Sequence, residues 1–286
     1  MTAATLSYAR STGRPRRLVL DSWVIGTVAA LLLVGLVMVT SASLNVAERM
    51  SGDPFFHFER QLLSVLLGCT FAGAMLFVPI AIWQRLAPVL LVASFALLVL
   101  VLIPGLGHEV NGSRRWIRLG LLNFQPSEVA RWLLLTYIAV FAVRHQTELR
   151  SSAQGFFKPL AVLLVAAGLL LLEPDFGAAV VLCMTGTAVL FVAGARLRDF
   201  LLVTAIGCTG LAMLAFTSDY RLKRLIAFLD PWADPYNSGF QLTQSLIAIG
   251  RGEWFGVGLG SSIQKLFYLP EAHTDFVFAV MAEEFG

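Results

Sequence analysis

Seven apolar runs of about 17–22 residues, with an eighth opening near residue 275, constrain this 286-residue chain more than any other feature. They cover 22–43, 61–80, 86–104, 127–143, 157–173, 177–194 and 200–217. A helix needs about 20 apolar residues to cross the hydrocarbon core of a bilayer. Barrel strands alternate in polarity, and these runs do not. Hydrophobic residues make up 57% of the chain and charged ones 14%, where a soluble domain carries about 25% charged residues. The pattern implies an all-α, polytopic helical membrane protein. The first run is long and lacks a small-residue cleavage site, so it reads as an anchor and not as a cleaved signal. The last run stops at Glu283-Glu284-Phe285-Gly286, about ten residues in, which is half of what a span needs. Truncation within an eighth span is therefore expected.

Loop charges set the expected orientation. Arg10, Arg14, Arg16 and Arg17 precede the first span against Asp21, placing residues 1–21 in the cytoplasm as a tail. The turn at 81–85 with Arg85, residues 144–158 with Arg144, Arg150 and Lys158, and residues 195–199 with Arg196 and Arg198 then fall on the same side. The opposite side receives 44–60, 173–176 and a long polar loop over 218–274, ahead of the helix that opens at 275. One outer segment breaks the rule. Residues 105–126 carry Arg114, Arg115 and Arg118 against Glu109 alone. Two readings fit: an anionic ligand on that face, or an amphipathic segment snorkelling its arginines to lipid phosphates.

Cys69, Cys183 and Cys208 all lie within apolar runs and read as small core residues with no disulfide framework. The four histidines are scattered without metal-ligand spacing, so no dedicated metal site is expected. The glycines at 250, 252, 256, 258 and 260 follow no nucleotide-binding fingerprint.

Polar chemistry gathers in three places. In the first, Asn111-Gly112 marks a tight turn before Arg114, Arg115 and Trp116, followed by Gln125-Pro126-Ser127-Glu128 and Arg131. Guanidinium groups match phosphate oxygens, and Glu128 and Arg131 are spaced to pair on one helical face. That pair either locks helix packing or leaves Arg131 facing a cavity. In the second, Glu173-Pro174-Asp175-Phe176-Gly177, Asp175 is placed to cap the sixth span. The third is the long loop. There Gln241 and Gln244 suit sugar hydroxyls, Arg251 and Lys265 suit phosphate, and a short helix is expected over 240–249. The loop ends at Leu269-Pro270-Glu271-Ala272-His273-Thr274-Asp275 against the apolar run. An acid at a membrane boundary suggests a functional site. Taken alone, Asp275 also reads as a helix N-cap.

Asn111–Trp116, Gln125–Glu128, Glu173–Gly177, Gly239–Ser245, Gly250–Glu253 and Tyr268–Phe276 together resemble the SEDS family (shape, elongation, division and sporulation). The Gln-Leu-Thr-Gln-Ser run, Gly-Arg-Gly-Glu and Gln-Lys-Leu are more similar to its division branch than to its elongation branch. The resemblance implies a fold of ten spans, about seven and a half of them present here. It also implies a peptidoglycan glycosyltransferase that polymerises lipid II on the nascent glycan diphospholipid at the septum of the bacterial inner membrane. The expected partners are a class B penicillin-binding protein, other division proteins and membrane lipids, with no nucleic acid. The family's essential acid falls on Asp275, with His273 and Thr274 beside it. The family's usual lysine after Gln-Pro-x-Glu is Arg131 here, which keeps the charge but removes a titratable amine. Mg²⁺ or another divalent ion could accompany the diphosphate, with no organic cofactor. A transporter that flips lipid II, or a non-catalytic division scaffold, are the competing readings. Nearly clean spans and polar chemistry on one face favour an enzyme over the transporter.

Overall fold

The computed structural model describes residues 21–103, 106–110, 113–119, 122–216 and 219–286. The basic tail before Asp21 lies outside these residues. The chain divides into two compact units, one formed by residues up to Val65 with Gln241–Gly286, the other by Leu66–Phe240.

Each expected run is a helix, with ends set by local capping. Helix α1 (Ser22–Ser51) opens where the Asp21 carboxylate accepts from the Trp23 amide at 2.9 Å. It continues through Asn45–Arg49, beyond the apolar run, because no Gly or Pro interrupts it until Gly52, which caps it in the left-handed conformation. Helix α2 (Phe56–Leu76) also begins ahead of its apolar run. Asp53 accepts from the Phe55 amide, so the polar residues His57, Glu59 and Arg60 form its first turns. Helices α3 (Ile80–Leu102), α4 (Pro126–Arg144), α5 (Gln146–Ser151), α6 (Ala153–Leu172), α7 (Phe176–Val192) and α8 (Leu197–Phe216) follow. Pro126 occupies the first position of α4, as its spacing predicts. Helix α6 starts six residues ahead of Pro159. Ser152 caps that helix through the Gly155 amide, leaving the proline in its interior. Among the described residues, α1, α3, α4 and α6 are long and apolar enough to cross a membrane, and α7 is a shorter apolar helix.

In the larger unit, α3, α4, α6 and α7 pack around one core. Ala130, Leu134, Ile138 and Ala142 recur every fourth residue and form one buried stripe of α4. Phe156, Leu160, Leu163, Ala166 and Leu170 form the facing stripe of α6. Small side chains let helices approach closely where lipid supplies no hydrophobic drive between them. The cysteines are free thiols. Cys183 is half-buried, but Cys69 and Cys208, expected in the core, lie exposed on their helices.

Within the otherwise helical fold, the basic segment after α3 is extended. It forms a small antiparallel meander of β1 (His108–Val110), β2 (Ser113–Leu119) and β3 (Leu122–Phe124). Val110 pairs with Ser113 and Leu119 with Leu122. Trp116 and Ile117 at the centre of β2 are aromatic and β-branched, residue types that suit a strand. The Asn111-Gly112 turn itself lies outside the described residues.

Beyond α8 the polar loop is largely helical. It holds α9 (Asp219–Leu229), a 3₁₀ turn over Pro231–Ala233, α10 (Phe240–Gly252) and a π-helical turn over Gln264–Tyr268, and α11 (Val277–Phe285) follows it. The helix expected over 240–249 is α10, three residues longer at its C-terminal end. In the smaller unit, Met38 and Ala42 of α1 share a core with Ala248, Leu269, Ala272, Ala279 and Val280. Two glycines allow this packing. A Cβ on Gly252 would sit 1.8 Å from the Ala282 carbonyl oxygen. Gly256 has φ +71° and a Cβ there would lie 2.1 Å from the Glu284 carbonyl oxygen.

Candidate functional site

In the smaller unit the Leu269–Asp275 segment is a tight turn with buried anchors and an exposed tip. Leu269 and Ala272 enter the core, while Thr274 and Asp275 remain exposed. Glu271 closes the turn. Its carbonyl accepts from the Thr274 and Phe276 amides, both at 3.2 Å, and its carboxylate accepts from the Thr274 hydroxyl at 2.8 Å. Glu271 has φ +54°, a conformation that costs a non-glycine residue and concentrates at functional turns. His273 is half-buried, its ring centroid 4.9 Å from that of His57 on α2. Among the described residues, no side chain bonds or ion-pairs with Asp275. The cap position of α11 belongs to Phe276, without a side-chain hydrogen bond. The capping role that Asp275 could have had is therefore not realised.

Next to this turn in sequence lies a buried polar network. Lys265, expected at the surface as a phosphate ligand, is 4% exposed. Its ammonium donates to Glu284 Oε1 at 2.7 Å and to Ser41 Oγ at 2.9 Å, while Ser41 in turn donates to Glu284. The physical reason is the adjacent pair Glu283-Glu284. Each carboxylate, fully desolvated on α11, requires a cation or several donors. Glu283 takes the second course. It accepts from the Ser262 hydroxyl and from the Ile263 and Gln264 amides, and lies 3.5 Å from the Arg251 guanidinium. Arg251 itself stays exposed, as does Gln241, and Gln244 is half-buried on α10. Ser41, His57, Glu283 and Glu284 were not singled out in sequence. Two adjacent acids inside an apolar run were the available signal for the glutamates.

The larger unit assembles the other residues. Arg115 on β2 reaches Asp175 at 3.5 Å with its side chain 34% exposed, and its Nε is buried. Gln125 donates to Ser127 Oγ at 3.1 Å and to Asp175 Oδ2 at 3.4 Å. Asp175 also accepts from the Ala178 amide, so it caps α7 as its position predicts. Glu128 and Arg131 form the expected ion pair on the first turns of α4. Arg114 lies in β2, and its side chain is outside the described residues.

Glu173, in the turn between α6 and α7, is buried beside this group. Burial first, and then the neighbouring Asp175, push its carboxyl up to about 7, against an opposing pull from Arg115. Folding therefore favours the protonated acid. That stabilisation is complete below the ordinary glutamate range and is lost as pH rises through about 7. Glu173→Gln, which mimics the protonated form, is expected to stabilise the protein at pH 8 by roughly 2–3 kcal/mol while changing little at pH 5. Thermal unfolding at the two pH values measures this, and equal effects at both would contradict it.

Apolar helices carrying an exposed acid on a braced turn define a polytopic membrane protein with polar chemistry at the boundary. The chain belongs to the FtsW/RodA/SpoVE (SEDS) family: the family model described as "Cell cycle protein" matches residues 22–286. It is 55% identical over 267 residues to a "Probable peptidoglycan glycosyltransferase FtsW" of Halorhodospira halophila, covering 93% of this chain and 68% of that protein. A protein of the same name from Thioalkalivibrio sulfidiphilus is 56% identical over 260 residues, covering 91% and 65%. The chain thus spans about two thirds of the length of these relatives. A solved chain described under "Structural coordination of polymerization and crosslinking by a peptidoglycan synthase complex" superposes with a TM-score of 0.67 at 31% identity, covering 94% of this chain and 72% of that one. The Thermus thermophilus rod shape determining protein RodA superposes at 0.57 with 30% identity, covering 93% and 83%.

Proposed function

We propose that this protein is a peptidoglycan glycosyltransferase that polymerises lipid II into glycan strands during septal wall synthesis. The observation that carries the reading is Asp275, presented with no side-chain partner among the described residues from a turn whose flanking residues are anchored in the core. In the reaction, the growing glycan diphospholipid is the donor. The 4-hydroxyl of the incoming N-acetylglucosamine attacks the anomeric carbon, the bond to the diphosphate breaks, and the configuration inverts to a β-1,4 link. A sugar hydroxyl is a weak nucleophile at neutral pH, so a positioned base accelerates attack, and Asp275 takes the proton. The diphosphate leaves as an anion and needs no proton from a second acid, unlike the leaving group in glycoside hydrolysis.

Arg251 is an exposed cation in the same unit as Asp275; it keeps solvent access beside Glu283 and is assigned to the departing diphosphate. Gln241, Gln244 and Thr274 are assigned to sugar and peptide groups, and His273 to holding the turn. Arg114, Arg115 and Arg131, with Gln125, Ser127 and Glu128, are assigned to phosphate recognition and its support. Lys265 leaves the list of phosphate ligands, because its ammonium is already spent on Glu284. Among the described residues no three His, Cys, Asp or Glu side chains converge to hold a metal ion. Mg²⁺, where it accompanies the substrate, is assigned to the diphosphate oxygens and would neutralise their charge.

A class B penicillin-binding protein is assigned as crosslinking partner in the inner membrane, with other division proteins and the N-terminus on the cytoplasmic side. The purified protein, mixed with its transpeptidase partner and lipid II, is expected to yield glycan strands resolvable by gel electrophoresis. Lipid II translocation in vesicles, without strand formation, would instead identify a transporter. Partner binding with neither activity would identify a scaffold.

A further inference from the structure

We infer that α9 is an interfacial helix that seats its apolar face among phospholipid acyl chains and Lys223 among the phosphates. Helix α9 (Asp219–Leu229) starts three residues after Phe216, where the apolar helix α8 ends. The apolar run over 200–217 therefore leads almost directly into it. Leu222, Ile226 and Leu229 are spaced i, i+4, i+7 and share one helical face. This face is not used for the protein's own core. Leu222 is half-buried, but Ile226 is 50% and Leu229 75% exposed. Among the described side chains of this helix, the one turned inward is the small Ala227, 7% exposed. A helix with its largest apolar side chains facing away from the protein requires an apolar medium on that side. The charge pattern selects lipid as that medium. The helix carries Arg221, Lys223 and Arg224, and Lys223 is exposed. Lys and Arg beside an apolar arc are the composition of helices that lie in the headgroup layer. Trp232 and Tyr236 follow directly, 57% and 86% exposed, and such rings concentrate at membrane interfaces.

The inference is independent of the activity proposed above. It is tested in the purified protein reconstituted in phospholipid nanodiscs, with the three native cysteines replaced by alanine. A fluorescent probe is attached singly through Ile226→Cys, Leu229→Cys or Lys223→Cys. Probes at 226 and 229 are expected to be quenched by lipid bearing a nitroxide near the top of the acyl chain at least about twofold more than by aqueous iodide. The probe at 223 should show the reverse order, or preference for a headgroup nitroxide. Either apolar position suffices if the other variant does not fold. Iodide quenching of 226 and 229 would place the helix in water. Quenching by neither agent would place it under protein, and both results overturn the inference.

Discussion

Glu284→Gln is expected to destabilise the protein by about 3–5 kcal/mol, because it leaves the Lys265 ammonium charged, desolvated and without its carboxylate. Lys265 and Glu284 side chains are 5% and 0% exposed, 2.7 Å apart, and share Ser41 as a further hydrogen-bond partner. The pair joins three segments distant in sequence: α1, the π-helical turn and α11. Neither ion can recover water without opening the packing of Met38, Ala42, Ala279 and Val280. Lys265→Met alone should cost a similar amount by stranding Glu284. The double variant should recover most of the loss, since removing both charges also removes both desolvation costs. Thermal unfolding followed by size-exclusion recovery measures all three. Single variants within about 0.5 kcal/mol of the parent would mean that the pair is solvated.

The contrast between this pair and the spans shows what the sequence made legible. Apolar runs of bilayer length leave the backbone no alternative to helix, so seven helices could be placed, with ends off by up to eight residues. The misplaced ends have local causes. Asp53 nucleates α2 among polar residues, and Ser152 starts α6 before Pro159, because capping acts over three residues and hydropathy averages over many. The meander was missed since three- and seven-residue strands carry little periodic signal beside arginines. Lys265 was misplaced for a different reason. A lone lysine in a polar loop reads as exposed, and its burial depends on Ser41 and Glu284, which are 224 and 19 positions away in the chain. Glu128–Arg131 and the Asp175 cap were legible because each partner lies within three residues. Pairings set by tertiary packing have no such local signature.

Asp275→Asn is expected to leave the fold intact and to lower glycan-strand synthesis by about 10²–10⁴-fold. The structural half of this prediction follows from where the carboxylate lies. It is exposed, it is not the cap of α11, and the turn that carries it is closed by Glu271 and Thr274. Asparagine has the same shape and can make any hydrogen bond that the turn offers an acceptor, so stability should change by less than about 0.5 kcal/mol. The kinetic half follows from basicity. An amide cannot take a proton from the acceptor hydroxyl, so the loss should fall on turnover more than on substrate binding. Asp275→Glu separates position from basicity. It keeps the base but displaces it by one methylene, and partial activity between the parent and the asparagine variant is expected. The complementary control is Glu271→Gln, which retains the acceptor for Thr274 without its charge and should preserve most activity if Glu271 only shapes the turn. Strand synthesis from lipid II with the partner transpeptidase, measured at saturating and at low substrate, reads both halves. An asparagine variant that polymerises normally would remove Asp275 as the base. One that loses activity only through unfolding would return it to a structural role.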